Sequence, residues 1–220
     1  MKALISIVAL PFLLGSVAHA DRSKQYEISI TNATAQHVFT PTLIVTHKAN
    51  VQLFKVGEAA SPGLVLQAET GDPSAKLAET QGLPDVHDTV IGGFIPGGNT
   101  SSFTITAPKK AHLSFTAMLA TTNDAFVALN GVRLPKKSAS YYAEIYDAGS
   151  EANNEDCSFI PGPPCAENSG NDRAPEGSEG FVTISNGIHG HGDLSARDLD
   201  WNGPGAIVTI TRINDQDDDD

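Results

Sequence analysis

Nine short segments rich in β-forming residues, each bounded by turn residues, place the strongest constraint on the fold of this chain. They cover residues 26–31, 42–47, 51–56, 102–107, 113–119, 125–130, 141–146, 180–185 and 206–213. Their number and spacing predict an all-β domain, an antiparallel β-sandwich. The stretch 57–82 has helical character, but Pro and Gly interrupt it, so we expect only short helical insertions in the sandwich.

The first twenty residues have the pattern of a secretory signal peptide. A single Lys precedes a mostly apolar run, and the segment ends in an Ala-x-Ala pattern. We therefore expect an exported protein, periplasmic or extracellular, with one domain over residues 21–213 and a disordered acidic tail over 214–220. No later segment approaches the ~18 to 20 apolar residues of a membrane helix, so no integral membrane segment is expected.

The charge balance of the chain is acidic. It has 14 basic and 26 acidic side chains, for a net charge of -12. Binding to a phosphate backbone needs clusters of Lys and Arg, so a nucleic-acid partner is not expected. The balance suits binding of a cation or of a basic partner.

Two cysteines, Cys157 and Cys165, enclose a short loop rich in Pro and Gly. In an exported protein such a pair predicts one disulfide. The alternative is a zinc site, but two cysteines supply too few ligands for one.

Acidic residues lie at both ends of a predicted hairpin. The segments 125–130 and 141–146 flank a turn near Pro135. Antiparallel pairing places the start of the first strand beside the end of the second. Asp124 and Asp147 should therefore meet at one end of the sheet.

Glu151 follows Asp147 by four residues, with a Gly between them, and can turn back toward the same point. Three converging carboxylates repel one another unless a cation neutralises them. Oxygen ligands suit Ca²⁺, and Mg²⁺ is the alternative with stricter demands on coordination geometry. The absence of an adjacent His or Cys disfavours zinc and copper. The alternative is an acidic loop satisfied by water and counterions, and we assign Glu155 and Asp156 to such a solvated loop.

The segments around these acids resemble the spondin N-terminal domain family. "SFTAMLATTNDAFVALNG" is similar to a family segment in which a Met-containing strand leads into a loop with an Asp, and "YDAGSE" resembles the family's Tyr-Asp-Ala-Gly-Thr-Asp motif. Residues 39–47, 57–72, 92–105 and 191–213 also resemble bacterial members. The resemblance implies an antiparallel β-sandwich with a metal site at Asp124, Asp147 and Glu151. Eukaryotic members tend to have Asp at the last of these positions.

Two histidines, His189 and His191, precede Asp193 in "HGHGD". They could place two imidazoles on one side of the chain, as copper and zinc sites do. The alternative is a Gly-rich turn with exposed histidines, which the absence of an indicated third ligand favours.

These observations favour an exported calcium-binding module that acts in binding or adhesion, with an unidentified protein or glycan partner. One alternative is a secreted hydrolase that uses the clustered acids and histidines, and another is a structural component of a surface or matrix. No Gly-x-Ser-x-Gly, His-Glu-x-x-His or unpaired nucleophilic Cys is found, so we do not expect an enzyme.

Overall fold

Antiparallel strands form one nearly closed sheet in the computed structural model, which describes residues 23–165 and 172–213. The strands of these residues are β1 (Lys24–Asn32), β2 (Leu43–His47), β3 (Val86–Ile91), β4 (Thr100–Ala107), β5 (His112–Met118), β6 (Ala125–Arg133), β7 (Ser138–Asp147), β8 (Thr183–Ile184) and β9 (Ala206–Ile213). Their order is β3-β2-β5-β6-β7-β9-β1-β4, and β8 pairs with β7. The terminal strands of this order, β3 and β4, contact each other. The all-β antiparallel fold predicted from the sequence is confirmed.

Strand β7 connects the two halves of the sheet. Its first part, residues 138–143, pairs with β9, and its last part, residues 144–147, pairs with β6. Because the partner changes along one strand, the sheet folds back on itself and encloses a core. The core contains fully buried side chains from both halves, among them Ile28, Phe115 and Val127.

Short helices lie outside this core: α1 (Pro62–Thr70), α2 (Ser74–Gln81) and α3 (Ala196–Leu199). Helix α1 begins after Ser61, whose hydroxyl accepts a hydrogen bond from the N–H of Leu64, and a Pro occupies its first turn. Leu64 and Ala68 pack with Phe126 in a second apolar cluster on the outer face of β6. The helical character of the segment 57–82 is thus confirmed. All the helices that the structure describes are too short to span a lipid bilayer.

One predicted strand is wrong, and one observed strand was missed. Residues 51–56 form a loop, in which Leu53 and Phe54 are both buried in the second cluster. The side chain of Asn130 accepts from the N–H of Leu53 and donates to the carbonyl of Phe54, so it replaces the hydrogen bonds of a strand partner. Strand β3 was missed because its His and Asp obscure the β pattern, and pairing with β2 stabilises it.

The cysteine pair forms the predicted disulfide between Cys157 and Cys165. It closes a loop that packs on a third small apolar cluster, which includes Ile160, Ile188 and Leu194. The predicted signal peptide, residues 1–20, and the predicted acidic tail, residues 214–220, lie outside the described residues.

Candidate metal centres

The predicted hairpin brings Asp124 beside Asp147. Strands β6 and β7 pair antiparallel, and Ala125 lies opposite Asp147 in the register. The N–H of Ala148 also donates to the carbonyl oxygen of Asp124, at 3.2 Å. The two acids therefore lie at the same end of the sheet, as hairpin geometry predicts.

A glycine turn directs the following residues back onto Asp124. Gly149 has φ +67°, and a Cβ there would overlap the backbone of Phe181, so a larger residue does not fit. After this turn, the N–H groups of Ser150 and Glu151 donate to Oδ2 of Asp124, at 2.7 and 3.0 Å. The hydroxyl of Ser150 adds a third hydrogen bond to the same oxygen, at 3.1 Å.

The other two carboxylates are also held by hydrogen bonds. Asp147 accepts from the N–H of Gly149 at 2.7 Å through Oδ1, and from the side chain of Asn153 at 2.6 Å through Oδ2. Glu151 accepts from the N–H of Ala174 at 2.7 Å through Oε1. This last bond ties the turn after β7 to the distant segment that follows the disulfide loop.

Two carboxylate oxygens in this group are buried without a hydrogen-bond partner. Among the residues that the structure describes, Oδ1 of Asp124 and Oε2 of Glu151 are such atoms, and both side chains are fully buried. A buried acceptor without a donor is costly, and a bound ion is one way to satisfy it. The two atoms therefore fit a site for a hard cation.

Electrostatics in this group disfavour the ionised carboxyls. Burial, followed by the negative charge of Asp147, raises the pKa of Asp124 to about 7. Burial also raises the pKa of Glu151 to about 7; the charge of Glu69 adds to this effect, and the N–H of Ala174 opposes it. The pKa of Asp147 is raised as well, chiefly by burial. A cation would favour the ionised form of all three carboxyls.

The three acids do not converge as closely as ligands of one ion. Within residues 23–165 and 172–213, one group of three His, Cys, Asp or Glu side chains has ligand atoms that all lie within 4.8 Å of one another, and it is a different set of residues. That set is Glu155, His189 and His191. Coordination by Asp124, Asp147 and Glu151 together therefore requires a shift of at least one of these side chains.

Glu155 differs from the prediction made from the sequence, which placed it in a solvated loop. It is buried, with 3% of its surface exposed, and does not lie in a solvated loop. Its carboxylate accepts from the backbone N–H groups of His189, Gly190 and His191. A third candidate ligand for the two histidines thus comes from a residue 34 positions away in the chain. No local spacing signals such a contact, because it depends on the packing of two loops. Asp193 instead accepts from the N–H of Cys157.

Comparison with known protein families shows which family the chain resembles. The family described as Spondin_N matches residues 20–153, which is more than half of the chain. The matched range includes Asp124, Asp147 and Glu151, and it ends before Glu155 and the two histidines. No curated protein matches the chain.

Proposed function

Because the chain belongs to the spondin N-terminal domain family, a family of secreted binding modules, we propose that it is an exported calcium-binding module that acts in adhesion rather than in catalysis. Asp124, Asp147 and Glu151 would hold the ion. Its role would be structural, since it would link the end of the β6 and β7 hairpin to the loops that follow it.

One observation carries this proposal: the buried oxygens Oδ1 of Asp124 and Oε2 of Glu151 have no hydrogen-bond donor. The remaining oxygens of these two residues already accept from N–H groups, which fixes the carboxylates in place. A cation that contacts the two unpartnered oxygens would satisfy them and neutralise the repulsion between the acids.

Calcium suits these ligands better than the other common ions. Ca²⁺ takes six to eight oxygen ligands in flexible geometry, whereas Mg²⁺ demands a near-ideal octahedron. Carboxylates from a strand end and a turn, supplemented by loop carbonyls and water, meet the looser requirement. No His or Cys is among the three proposed ligands, which disfavours zinc and copper at this position.

The proposed binding role follows from where the ion would act. Glu151 accepts a hydrogen bond from the N–H of Ala174. The side chain of Asn153 donates to Asp147 at 2.6 Å and to Glu179 at 3.5 Å, and so links these two residues. Ordering these loops would present one rigid surface at this end of the sheet to a protein or glycan partner. Preorganisation of this kind lowers the entropic cost of binding.

Thermal unfolding with and without calcium tests the proposal. Extracellular calcium modules have Kd values of ~10⁻⁴ to 10⁻³ M, so about 10 mM Ca²⁺ should add roughly 1.4 to 2.7 kcal/mol of stability. For a domain of this size we expect Tm to rise by roughly 3 to 10 °C. Asp147→Asn should abolish the rise.

Glu144→Gln is the matched control, because Glu144 is an exposed acid on the same strand. It should leave the calcium-dependent rise intact. An equal Tm in calcium and in chelator for the unsubstituted protein would overturn the proposed calcium site.

A further inference from the structure

Two loops outside the matched family range meet at the group of Glu155, His189 and His191. The backbone carbonyl of Glu155 accepts a hydrogen bond from the N–H of Asp193 at 2.8 Å. The backbone N–H of Glu155 donates to the side chain of Asn123 at 3.3 Å. A Cβ at Gly192 would overlap the backbone of Asn154 and Glu155, so the histidine turn lies directly on that segment. The disulfide at Cys157 closes the adjoining loop.

The carboxylate of Glu155 is fixed by backbone donors. Oε1 accepts from the N–H of His189 at 2.5 Å, and Oε2 accepts from the N–H groups of Gly190 and His191 at 2.7 and 3.1 Å. The three donors therefore hold this carboxylate in a fixed position.

Both imidazoles direct a nitrogen toward that carboxylate without reaching hydrogen-bond distance. Nδ1 of His189 lies 3.8 Å from Oε1 of Glu155, and Nδ1 of His191 lies 3.9 Å from it. The two rings are nearly parallel, with centroids 5.8 Å apart. Two ligand atoms around one tetrahedral zinc ion are about 3.4 Å apart. The ligand atoms of this group all lie within 4.8 Å of one another, so side-chain adjustments would close the group around an ion.

The hydrogen bond of His191 identifies which nitrogen is available. Its Nε2 lies 2.9 Å from the carbonyl oxygen of Asn153, which can only accept, so Nε2 carries the proton. In the neutral ring, Nδ1 then has a lone pair, and this lone pair faces the carboxylate of Glu155. A histidine that donates one N–H to a backbone carbonyl and offers the other nitrogen is the arrangement that metal sites use.

The group is closed on one side and open on the other. The side chain of Glu155 is 4% exposed, whereas those of His189 and His191 are 54% and 55% exposed. An ion held by these three atoms would lie at the surface, with at least one coordination position facing solvent. Two imidazoles and a carboxylate suit zinc or copper better than calcium.

We propose that Glu155, His189 and His191 form a second metal site, selective for a divalent transition metal such as Zn²⁺ and separate from the acids around Asp124. The open position would take water or a donor group from a partner molecule. This site shares no ligand with the proposed calcium site.

Zinc titration of the mature protein without a polyhistidine tag tests the site, with affinity measured by competition against a chromogenic chelator. We expect one Zn²⁺ per chain to bind through this group. His189→Ala and His191→Ala should each weaken binding by at least about 100-fold, since the loss of an outer-shell partner alone costs 10- to 100-fold. Both side chains are exposed, so these variants should fold normally, as far-ultraviolet circular dichroism will check.

Two control variants separate this site from other contributions. His87→Ala removes an exposed histidine on β3 and should not change zinc affinity. Glu144→Gln, at an exposed acid on β7, should also leave zinc binding intact. Absence of zinc binding, or equal affinity in a His189→Ala/His191→Ala double variant, would overturn the site. Nitrogen-15 NMR should further show coordination through Nδ1 of His191; coordination through its Nε2 would contradict the ligand assignment.

Discussion

Replacement of Asp124 by Asn should stabilise the calcium-free protein and abolish its stabilisation by calcium. In the absence of calcium, Oδ1 of Asp124 is buried without a donor, and burial and the charge of Asp147 raise the pKa of the carboxyl to about 7. An amide has the same shape and no charge. Its oxygen can accept the hydrogen bonds of Ser150 and Glu151, while its NH₂ group takes the place of the unpartnered oxygen.

The expected gain in stability follows from the shift in the pKa of Asp124 from its ordinary value of 3.8. Below pH 3.8 the carboxyl is protonated in both the folded and unfolded states, and ionisation costs no stability. As the pH rises through the folded pKa near 7, stability is lost, by about 1.36 kcal/mol for each pKa unit. Without calcium, Asp124→Asn should therefore be more stable than the unsubstituted protein by on the order of 4 kcal/mol at pH 8 and less than about 2 kcal/mol at pH 5.

Urea unfolding in calcium-free buffer at pH 5 and pH 8 measures this difference, with the fluorescence of Trp201 as the signal. Glu144→Gln, on the exposed face of β7, is the matched control and should show no such pH-dependent gain. Calcium should stabilise the unsubstituted protein and leave Asp124→Asn unchanged. A variant that is less stable than the unsubstituted protein without calcium, by the same amount at both pH values, would refute the reasoning.

Three further predictions concern the surroundings of the site. Cys157→Ser with Cys165→Ser opens a short loop and should lower the free energy of unfolding by about 2 to 3 kcal/mol, measured by urea unfolding under non-reducing conditions. Gly149→Ala places a Cβ against the backbone of Phe181 at positive φ and should cost at least about 1 to 3 kcal/mol; calorimetry should show weaker calcium binding as well. His37 is buried, which lowers its pKa, so its contribution to stability is complete above pH 6.5 and is lost as the pH falls toward the folded pKa. His37→Gln should therefore flatten the plot of unfolding free energy against pH in this range. An unchanged plot would exclude His37 as the source of the pH dependence.

The parts of the fold that the sequence predicted depend on local patterns. Alternating β-formers and a turn near Pro135 are sufficient to define the β6 and β7 hairpin, and pairing then places Asp124 beside Asp147. The same kind of argument fails for residues 51–56. That segment has the composition of a strand, but the side chain of Asn130 provides its hydrogen bonds, and no local pattern reveals this contact.

The two candidate sites also differ in how far local sequence patterns predict them. Asp147 and Glu151 are four residues apart around a glycine, so their approach to Asp124 could be predicted from one hairpin and one turn. Glu155 meets His189 and His191 only because two loops pack on each other, more than 30 residues apart in the chain. The sequence therefore predicted that the acids of the first group approach one another, whereas it placed Glu155, a proposed ligand of the second group, in a solvated loop.

The central claim is that Asp124, Asp147 and Glu151 bind calcium, and a crystal structure of the mature protein grown with Ca²⁺ tests it most directly. Anomalous scattering distinguishes a calcium ion from a water molecule. We predict an ion within about 2.3 to 2.6 Å of Oδ1 of Asp124 and Oε2 of Glu151, with an oxygen of Asp147 completing the protein carboxylates. Density without an anomalous signal at this position in saturating calcium, with the two oxygens contacting only water or each other, would contradict the claim.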